Sequence, residues 1–165
     1  MTDAVAKRQN GDSMIDLLKK ISLFENLTAA ELGKIEKIVR KERYARDIAI
    51  FREGDPGNRC YVITAGEVRI SKFIPNIGEE ALAVLKAGDY FGEMSLIDNF
   101  PRSAHAIANT DIEALAIGKA DLDNVLITDR DLGYKLLWSF TRTLSKRLRE
   151  TNEKMAGFLV LSGGF

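Results

Sequence analysis

Hydrophobic and polar positions recur with helical periodicity at both ends of the chain and with strand periodicity in its centre. Near the beginning, Ile15, Leu18 and Ile21 recur at helical spacing. Ser13 stands three residues before Asp16, an arrangement typical of a helix N-terminus. The pattern therefore predicts a short first helix that begins after Ser13.

A second short helix is predicted to begin after Thr28. Thr28 and Glu31 form a T-x-x-E capping box, and an apolar stripe follows it. The stripe consists of Leu32, Ile35 and Ile38. Residues 1–12 show no such periodicity and contain Gly11, so we expect a flexible N-terminus ahead of the two helices.

The central region, from about Val39 to Ile117, carries short β-branched and apolar segments separated by turn signals. Glycines punctuate it at positions 54, 57, 66, 78, 88 and 92. The clearest strand segments read DIAIF, CYVIT, VRISKFI, EALAVL and DIEALAI. Many short strands without helical crossovers are typical of an antiparallel sandwich or barrel, and not of a doubly wound parallel sheet.

The C-terminal part is predicted to be helical, with a short helix in KADLDNVL and a long one from Arg130 to about Ala156, capped by Asp129. A seam of residues recurs along the long helix at spacings near three and four. It consists of Leu137, Leu144, Leu148 and Met155, with Thr141 and Thr151 between them. An amphipathic helix docked on its own β-core and a homodimer seam both account for this pattern. Because the helix is longer than a small β-core can cover, we expect a homodimer.

Composition narrows the class of protein. The chain has 165 residues, 45% of them hydrophobic and 29% charged, as in an ordinary soluble globular protein. Its 24 Lys and Arg balance 24 Asp and Glu, which argues against broad affinity for nucleic acid. The single Cys60 excludes an intramolecular disulfide and is expected to be a small buried residue. With neither a secretory signal nor a membrane-length apolar run, a cytoplasmic protein without membrane contact is expected.

The stretch FGEMSLIDNFPRSAH, residues 91–105, contains the candidate chemistry. Gly92 permits a close backbone approach, and EMSLID can supply a short helix, so free backbone amides can converge on an anion. Arg102 adds a guanidinium fork for phosphate oxygens, and Ser103 adds a hydroxyl. Glu93 would repel a phosphate but suits the hydroxyl donors of a ribose. The residues thus describe a nucleotide site, although a surface ion pair between Glu93 and Arg102 accounts for them as well.

The same stretch resembles the phosphate-binding cassette of the cyclic-nucleotide-binding domain family. That pattern has F-G-E, a few apolar residues, Arg followed by Ser, Thr or Ala, and then Ala. The run REGDPGNRCYVITAGEV also resembles the family's segment between its second and fourth strands, including Gly66. The resemblance extends from about Phe24 to Phe165, and it implies that Glu93 binds a ribose 2′-hydroxyl and Arg102 a cyclic phosphate. The implied cassette contacts are Phe91, Gly92, Glu93, Met94, Ser95, Arg102, Ser103 and Ala104.

The long helix is similar to the dimerisation helix of the sensor domain in the catabolite activator branch of that family. The positions that would meet the purine fall on Thr151, which matches the pattern, and Asn152, which departs from it. Asn keeps a donor and an acceptor, so purine contact and a solvated helix face both remain open. The chain ends before a helix-turn-helix region, so direct DNA binding is not expected.

Catalytic and metal motifs are missing. The sequence has no H-E-x-x-H, C-x-x-C, P-loop or G-x-S-x-G pattern and no metal ligands at useful spacing. His105 is expected to be a packed or rim imidazole. A basic stretch on the long helix is expected to be an exposed face balanced by acids; it contains Arg142, Lys146, Arg147 and Arg149. The protein is therefore predicted to be neither an enzyme nor a metal-binding protein.

The fold class expected is α+β, mainly β: an eight-stranded antiparallel jelly-roll β-barrel flanked by N-terminal helices and a long C-terminal dimerisation helix. The expected divisions are a flexible N-terminus 1–12, a cyclic-nucleotide-binding domain 13–157 (helices 13–39, jelly roll 40–118, helices 119–157) and an apolar tail 158–165. The expected function is to sense a cyclic nucleotide, cAMP before cGMP, and to signal through the long helix to a downstream protein partner. The alternatives are a structural interaction module with a degenerate site and a sensor fragment of a transcription regulator.

Overall fold

The computed structural model describes residues 13–161. The predicted flexible N-terminus 1–12 and the last four residues of the predicted tail lie outside this range. The helices are α1 Met14–Lys19, a 3-10 helix Ser22–Phe24, α2 Ala29–Ile38, α3 Met94–Asp98, α4 Lys119–Thr128 and α5 Arg130–Leu161. The strands are β1 Val39–Tyr44, β2 Ala49–Phe51, β3 Arg59–Ala65, β4 Glu67–Ile74, β5 Gly78–Lys86, β6 Tyr90–Phe91, β7 His105–Ala108 and β8 Ile112–Gly118.

The strands form two four-stranded antiparallel sheets, with the orders β1-β8-β3-β6 and β2-β7-β4-β5. The prediction of eight antiparallel strands is confirmed, but the prediction of a closed barrel is wrong. Each sheet has one very short edge strand: β6 has two residues and β2 has three. So few backbone groups cannot carry the hydrogen-bond ladder from one sheet around to the other.

The hydrophobic core has two parts, one on each face of the first sheet. Successive residues of a strand point to opposite faces, and β3 shows this directly. Cys60 and Val62 pack among the helices, whereas Tyr61 and Ile63 pack between the two sheets. Because both faces of β3 are covered, its sequence is a continuous apolar run and not an alternating one.

The predicted helix caps are present. The Ser13 hydroxyl accepts from the amide of Asp16, and Thr28 and Glu31 form the reciprocal capping box. The Asp129 carboxylate accepts from the amide of Leu132 in the first turn of α5. These side chains satisfy backbone amides that have no partner inside their helices.

The long helix α5 docks through one stripe, formed by Leu132, Leu136 and Phe140, each at most 2% exposed. Lys135 beside that stripe donates to both carboxylate oxygens of Glu31 in α2, at 2.8 and 2.9 Å. The carboxylate that completes the α2 cap therefore also holds α5 against the N-terminal helices.

Two features differ from the sequence prediction. β1, with the sequence VRKERY, carries four charged residues and lacks an apolar run, yet it pairs with β8 over its whole length. α5 continues to Leu161, beyond its predicted end near Ala156. Within residues 13–161, no helix combines the length and the apolar character that crossing a membrane requires.

Candidate functional site

A cavity of about 80 Å³ lies where β6, α3 and the segment before β7 meet α5. All eight residues predicted for the cassette line it. They are Phe91, Gly92, Glu93, Met94, Ser95, Arg102, Ser103 and Ala104. Three further residues complete the lining: Phe51, Ile70 and Arg147. The fold thus gathers the predicted cassette into one pocket and adds a residue from α5.

Gly92 follows β6 with a backbone φ of +81°, a conformation that favours glycine. A Cβ at this position would lie 2.7 Å from Nη1 of Arg102 and 3.1 Å from the Arg59 carbonyl oxygen. Glycine is therefore required here both for the turn and for the close passage of the Arg102 guanidinium.

Arg102 is only 4% exposed, and backbone groups hold its side chain. Nη1 donates to the Gly92 carbonyl at 2.8 Å, and Nη2 donates to the Arg59 carbonyl at 2.7 Å. The guanidinium carbon lies 4.0 Å from the centre of the Phe51 ring, a cation–π contact. Its Nε has no hydrogen-bond partner. Burial lowers the pKa of Arg102, yet a guanidinium stays protonated in proteins, so the pocket keeps a positive charge.

The turn after β2 fixes the backbone of Arg102. The Arg102 amide donates to the Asp55 carbonyl, and the Gly54 amide donates to the Arg102 carbonyl, both at 2.9 Å. A Cβ added to Gly57 would overlap the Ser95 side chain, so this turn packs directly against the cassette. The segment REGDPGNRCYVITAGEV, which contains this turn, therefore positions the cassette.

Glu93 is 1% exposed and carries the negative charge of the pocket. Burial raises the pKa of its carboxyl, while the neighbouring Arg147 and Arg102 charges act against that rise. Its Oε1 accepts from Nη1 of Arg147 at 2.9 Å, whereas its Oε2 is buried and has no partner. Glu93 is therefore held from one side and free to accept a hydrogen bond on the other.

Arg147 is the charged residue among the three lining residues that sequence reasoning missed. It pairs with Glu93, and its Nη2 donates to the Tyr90 carbonyl. Its place on the helix was a usable signal, since it continues the buried stripe of α5, seven residues after Phe140. A cation on a buried stripe implies a buried acid opposite it.

Thr151 and Asn152 do not line the cavity in this structure. Both are exposed on α5, and the Thr151 hydroxyl donates to the Arg147 carbonyl one turn earlier. His105 lies beside the site, half-buried, and its Nδ1 accepts from the Glu53 amide at 3.1 Å. Within the described residues, no three His, Cys, Asp or Glu side chains form a group that can hold a metal ion.

Known proteins share this arrangement of sequence and fold. Residues 41–129 match the family model described as the cyclic nucleotide-binding domain. A CRP-like cAMP-activated global transcriptional regulator of Mycobacterium tuberculosis is 28% identical over 146 residues, covering 88% of this chain and 63% of the regulator. A cAMP-dependent protein kinase regulatory subunit of Mycosarcoma maydis is 34% identical over 134 residues, covering 81% of this chain and 24% of the subunit.

A solved structure supports the same relationship. The crystal structure of a cyclic nucleotide-binding domain from Methylobacillus flagellatus KT superposes with a TM-score of 0.78 and 31% identity. The match covers 87% of this chain and 81% of that domain. The family model spans more than half of the chain, including strands β2 to β8 and the cassette, and the solved domain matches 87% of the chain. The chain therefore belongs to the cyclic nucleotide-binding domain family.

Proposed function

We propose that this chain is a regulatory domain that binds cAMP in the pocket between the cassette and α5, and that it signals occupancy by moving α5. One observation carries the proposal: a buried carboxylate oxygen, Glu93 Oε2, and a buried guanidinium nitrogen, Arg102 Nε, share one cavity without hydrogen-bond partners. Leaving a buried polar group unpaired costs about 1–3 kcal/mol, so both atoms favour a ligand that supplies the missing bonds.

The two charges suit two parts of one nucleotide. Only two of the five N–H groups of Arg102 bind backbone carbonyls, so the remaining donors are available to a cyclic phosphate. The free oxygen of Glu93 accepts only, which suits a ribose hydroxyl. Ser103 is exposed next to Arg102 and adds a hydroxyl to the phosphate side.

cAMP is the favoured ligand because both curated relatives described above carry it in their names. Thr151 lies one turn beyond Arg147 on α5. A purine that extends from the ribose along this helix would meet Thr151 and Asn152. These contacts become available only if α5 and the ligand approach each other.

The size of the cavity gives the signalling step a physical basis. Its volume, about 80 Å³, is well below the roughly 300–1,000 Å³ of ordinary ligand pockets. Arg147 lines the cavity and ties α5 to Glu93 and Tyr90, so a bound nucleotide must rearrange the Arg147 contacts. A ligand that binds one placement of α5 better than another shifts the helix toward that placement.

Titration calorimetry with cAMP and with cGMP tests the binding. We expect saturable heat with cAMP, weaker binding of cGMP, and loss of most affinity in Arg102→Ala because the phosphate loses its guanidinium. Absence of heat with either nucleotide at high concentration would favour a structural module whose site is degenerate. Unchanged affinity in Arg102→Ala would place the phosphate elsewhere.

Amide hydrogen exchange at saturating cAMP tests the signalling step in the same samples. We expect exchange along α5 to change on binding in the wild type, and to change much less in Arg147→Ala. Lys146→Ala is the control, because its side chain is exposed and does not line the cavity. An equal response of α5 in both variants would exclude Arg147 as the connection.

A further inference from the structure

A second and larger concavity, of about 530 Å³, lies along α5 beside the 3-10 helix. Its lining includes the cations of Arg142, Lys146 and Arg149, the indole of Trp138 and several Ser and Thr hydroxyls. Glu25 is the one acid among the residues that line it. We call this surface the basic groove; it shares no lining residue with the nucleotide pocket.

The cations of the basic groove are only weakly neutralised. Arg142 pairs with Glu25 at 3.5 Å and Lys146 with Glu150 at 3.7 Å, and all four side chains are more than half exposed. Exposed pairs of this kind contribute little and exchange easily. Within residues 13–161, Arg149 has no ion-pair partner. The groove therefore keeps a net positive charge that a ligand can use.

The groove cations lie on a different face of α5 from the apolar seam. At 3.6 residues per turn, Arg142, Lys146 and Arg149 point roughly 150° away from the direction of Leu144 and Leu148. They also span roughly 10 Å along the helix axis, at 1.5 Å per residue. A second copy of the chain seated on the seam would consequently leave these cations accessible.

We propose that the basic groove binds an acidic segment of a partner protein. Carboxylates of the segment would face the three cations, and an apolar side chain would pack on Trp138, which is 53% exposed. Trp and Arg together are typical of the residues that dominate protein–protein binding energy. A segment of a protein fits better than nucleic acid, because three cations over this length, with Glu25 among them, match few phosphates.

The groove is mechanically connected to the nucleotide pocket, which allows this surface to be the output of the proposed function. The Tyr90 hydroxyl donates to the carbonyl of Ser139, a groove residue, at 3.1 Å. The carbonyl of the same Tyr90 accepts from Arg147 in the pocket. A displacement of Arg147 can therefore be transmitted to the basic groove through Tyr90 alone.

Fluorescence anisotropy of labelled peptides tests the proposal on the full chain. The probe is a fluorescein-labelled octapeptide in which pairs of glutamate alternate with single leucines, and the matched peptide has glutamine in place of each glutamate. We expect the acidic peptide to bind, and the double variant Lys146→Glu, Arg149→Glu to weaken binding by about tenfold or more. The control variant Lys37→Glu, Arg46→Glu changes one exposed Lys and one exposed Arg elsewhere and should keep the affinity.

Several outcomes would overturn the proposal: no binding of the acidic peptide, equal binding of the glutamine peptide, or equal losses in the groove and control variants. Displacement of the peptide by a tighter-binding single-stranded oligonucleotide would instead assign the groove to nucleic acid. Circular dichroism and cAMP calorimetry of the groove variant verify that its fold and pocket are intact. Since Arg102→Ala should lose nucleotide and keep peptide, failure of this proposal is distinguishable from failure of the proposed function.

Discussion

At the scale of single residues, the pocket depends on a glycine as much as on its charged side chains. Gly92 combines a φ of +81° with the passage of Arg102 2.7 Å from the position a Cβ would take. We expect Gly92→Ala to weaken cAMP binding by at least about tenfold, because the added methyl group displaces the guanidinium. Calorimetry measures the affinity.

Gly88→Ala is the matched control for that substitution. Gly88 also has a positive φ, +94°, but nothing lies within 4 Å of a Cβ built there. It should lose about 1 kcal/mol of unfolding free energy from backbone strain and keep its nucleotide affinity. If both variants lose affinity equally, strain in the fold accounts for the loss, and the contact with Arg102 does not.

The family resemblance implied eight cassette residues, and the fold brings all eight to one cavity. Their contacts with a nucleotide stay a prediction. Arg147 escaped because a run of cations on a helix looks like a solvated face until the helix is docked. Its spacing from Phe140 was a local signal of burial, but its pairing with Glu93 joins residues 54 positions apart, and local pattern does not identify that partner. The burial of Cys60 was predicted from its apolar strand segment alone, and Cys60 is fully buried.

At the scale of elements, Glu31 connects α2 with α5. Its carboxylate completes the capping box and accepts from Lys135, and this hydrogen bond is the largest cause of its lowered pKa. An acid with a lowered pKa in the folded state stabilises the fold above its ordinary pKa and loses that effect as the pH falls. The Glu31–Lys135 pair should therefore stabilise the fold at neutral pH and lose this effect in acid.

We expect Glu31→Gln to lower the free energy of unfolding by about 0.5–1 kcal/mol at neutral pH, because the amide keeps the cap but loses the charge. The difference from wild type should begin to shrink near the ordinary carboxyl pKa of about 4.3 and vanish at lower pH. Urea unfolding at several pH values measures it. Glu36→Gln, an exposed change in the same helix, should show no such difference; a constant deficit at all pH values would contradict the assignment.

The elements themselves divide into those that local sequence predicts and those that it does not. Caps and apolar stripes predicted α1, α2 and α5, and turn residues bounded β3, β4 and β5. β1 lies within the predicted jelly roll 40–118, but no segment was named for it because Arg40, Lys41 and Glu42 carry no strand signal. Its pairing with β8 makes it a strand. Closure of the barrel was predicted wrongly because edge-strand length depends on tertiary packing.

At the scale of the whole molecule, an uncovered apolar seam on α5 supports the predicted homodimer. Leu137 is 45% exposed, Leu148 61% and Met155 58%, and Leu144 between them is partly buried, whereas the stripe through which the helix docks is buried. A seam with such spacing is typical of helices that pair. We expect the protein to sediment as a dimer and Leu148→Asp to sediment as a monomer, because a carboxylate at the seam would lose its hydration.

Ile48→Asp is the control for the seam, since Ile48 is half exposed in the connection between β1 and β2. It should leave the sedimentation coefficient unchanged. A dimer that survives Leu148→Asp, or dissociates equally in both variants, would exclude the seam as the interface. Circular dichroism verifies that the variants are folded.

The charges of β1 have a consequence for how the protein behaves at high concentration. β1 forms one edge of its sheet, and a bare edge invites the same strand of another molecule to add to it. Arg40, Lys41 and Arg43 are exposed along this edge and repel an identical strand that approaches it. The same charged residues that give β1 no apolar strand pattern thus prevent other molecules from adding strands to this edge of the sheet.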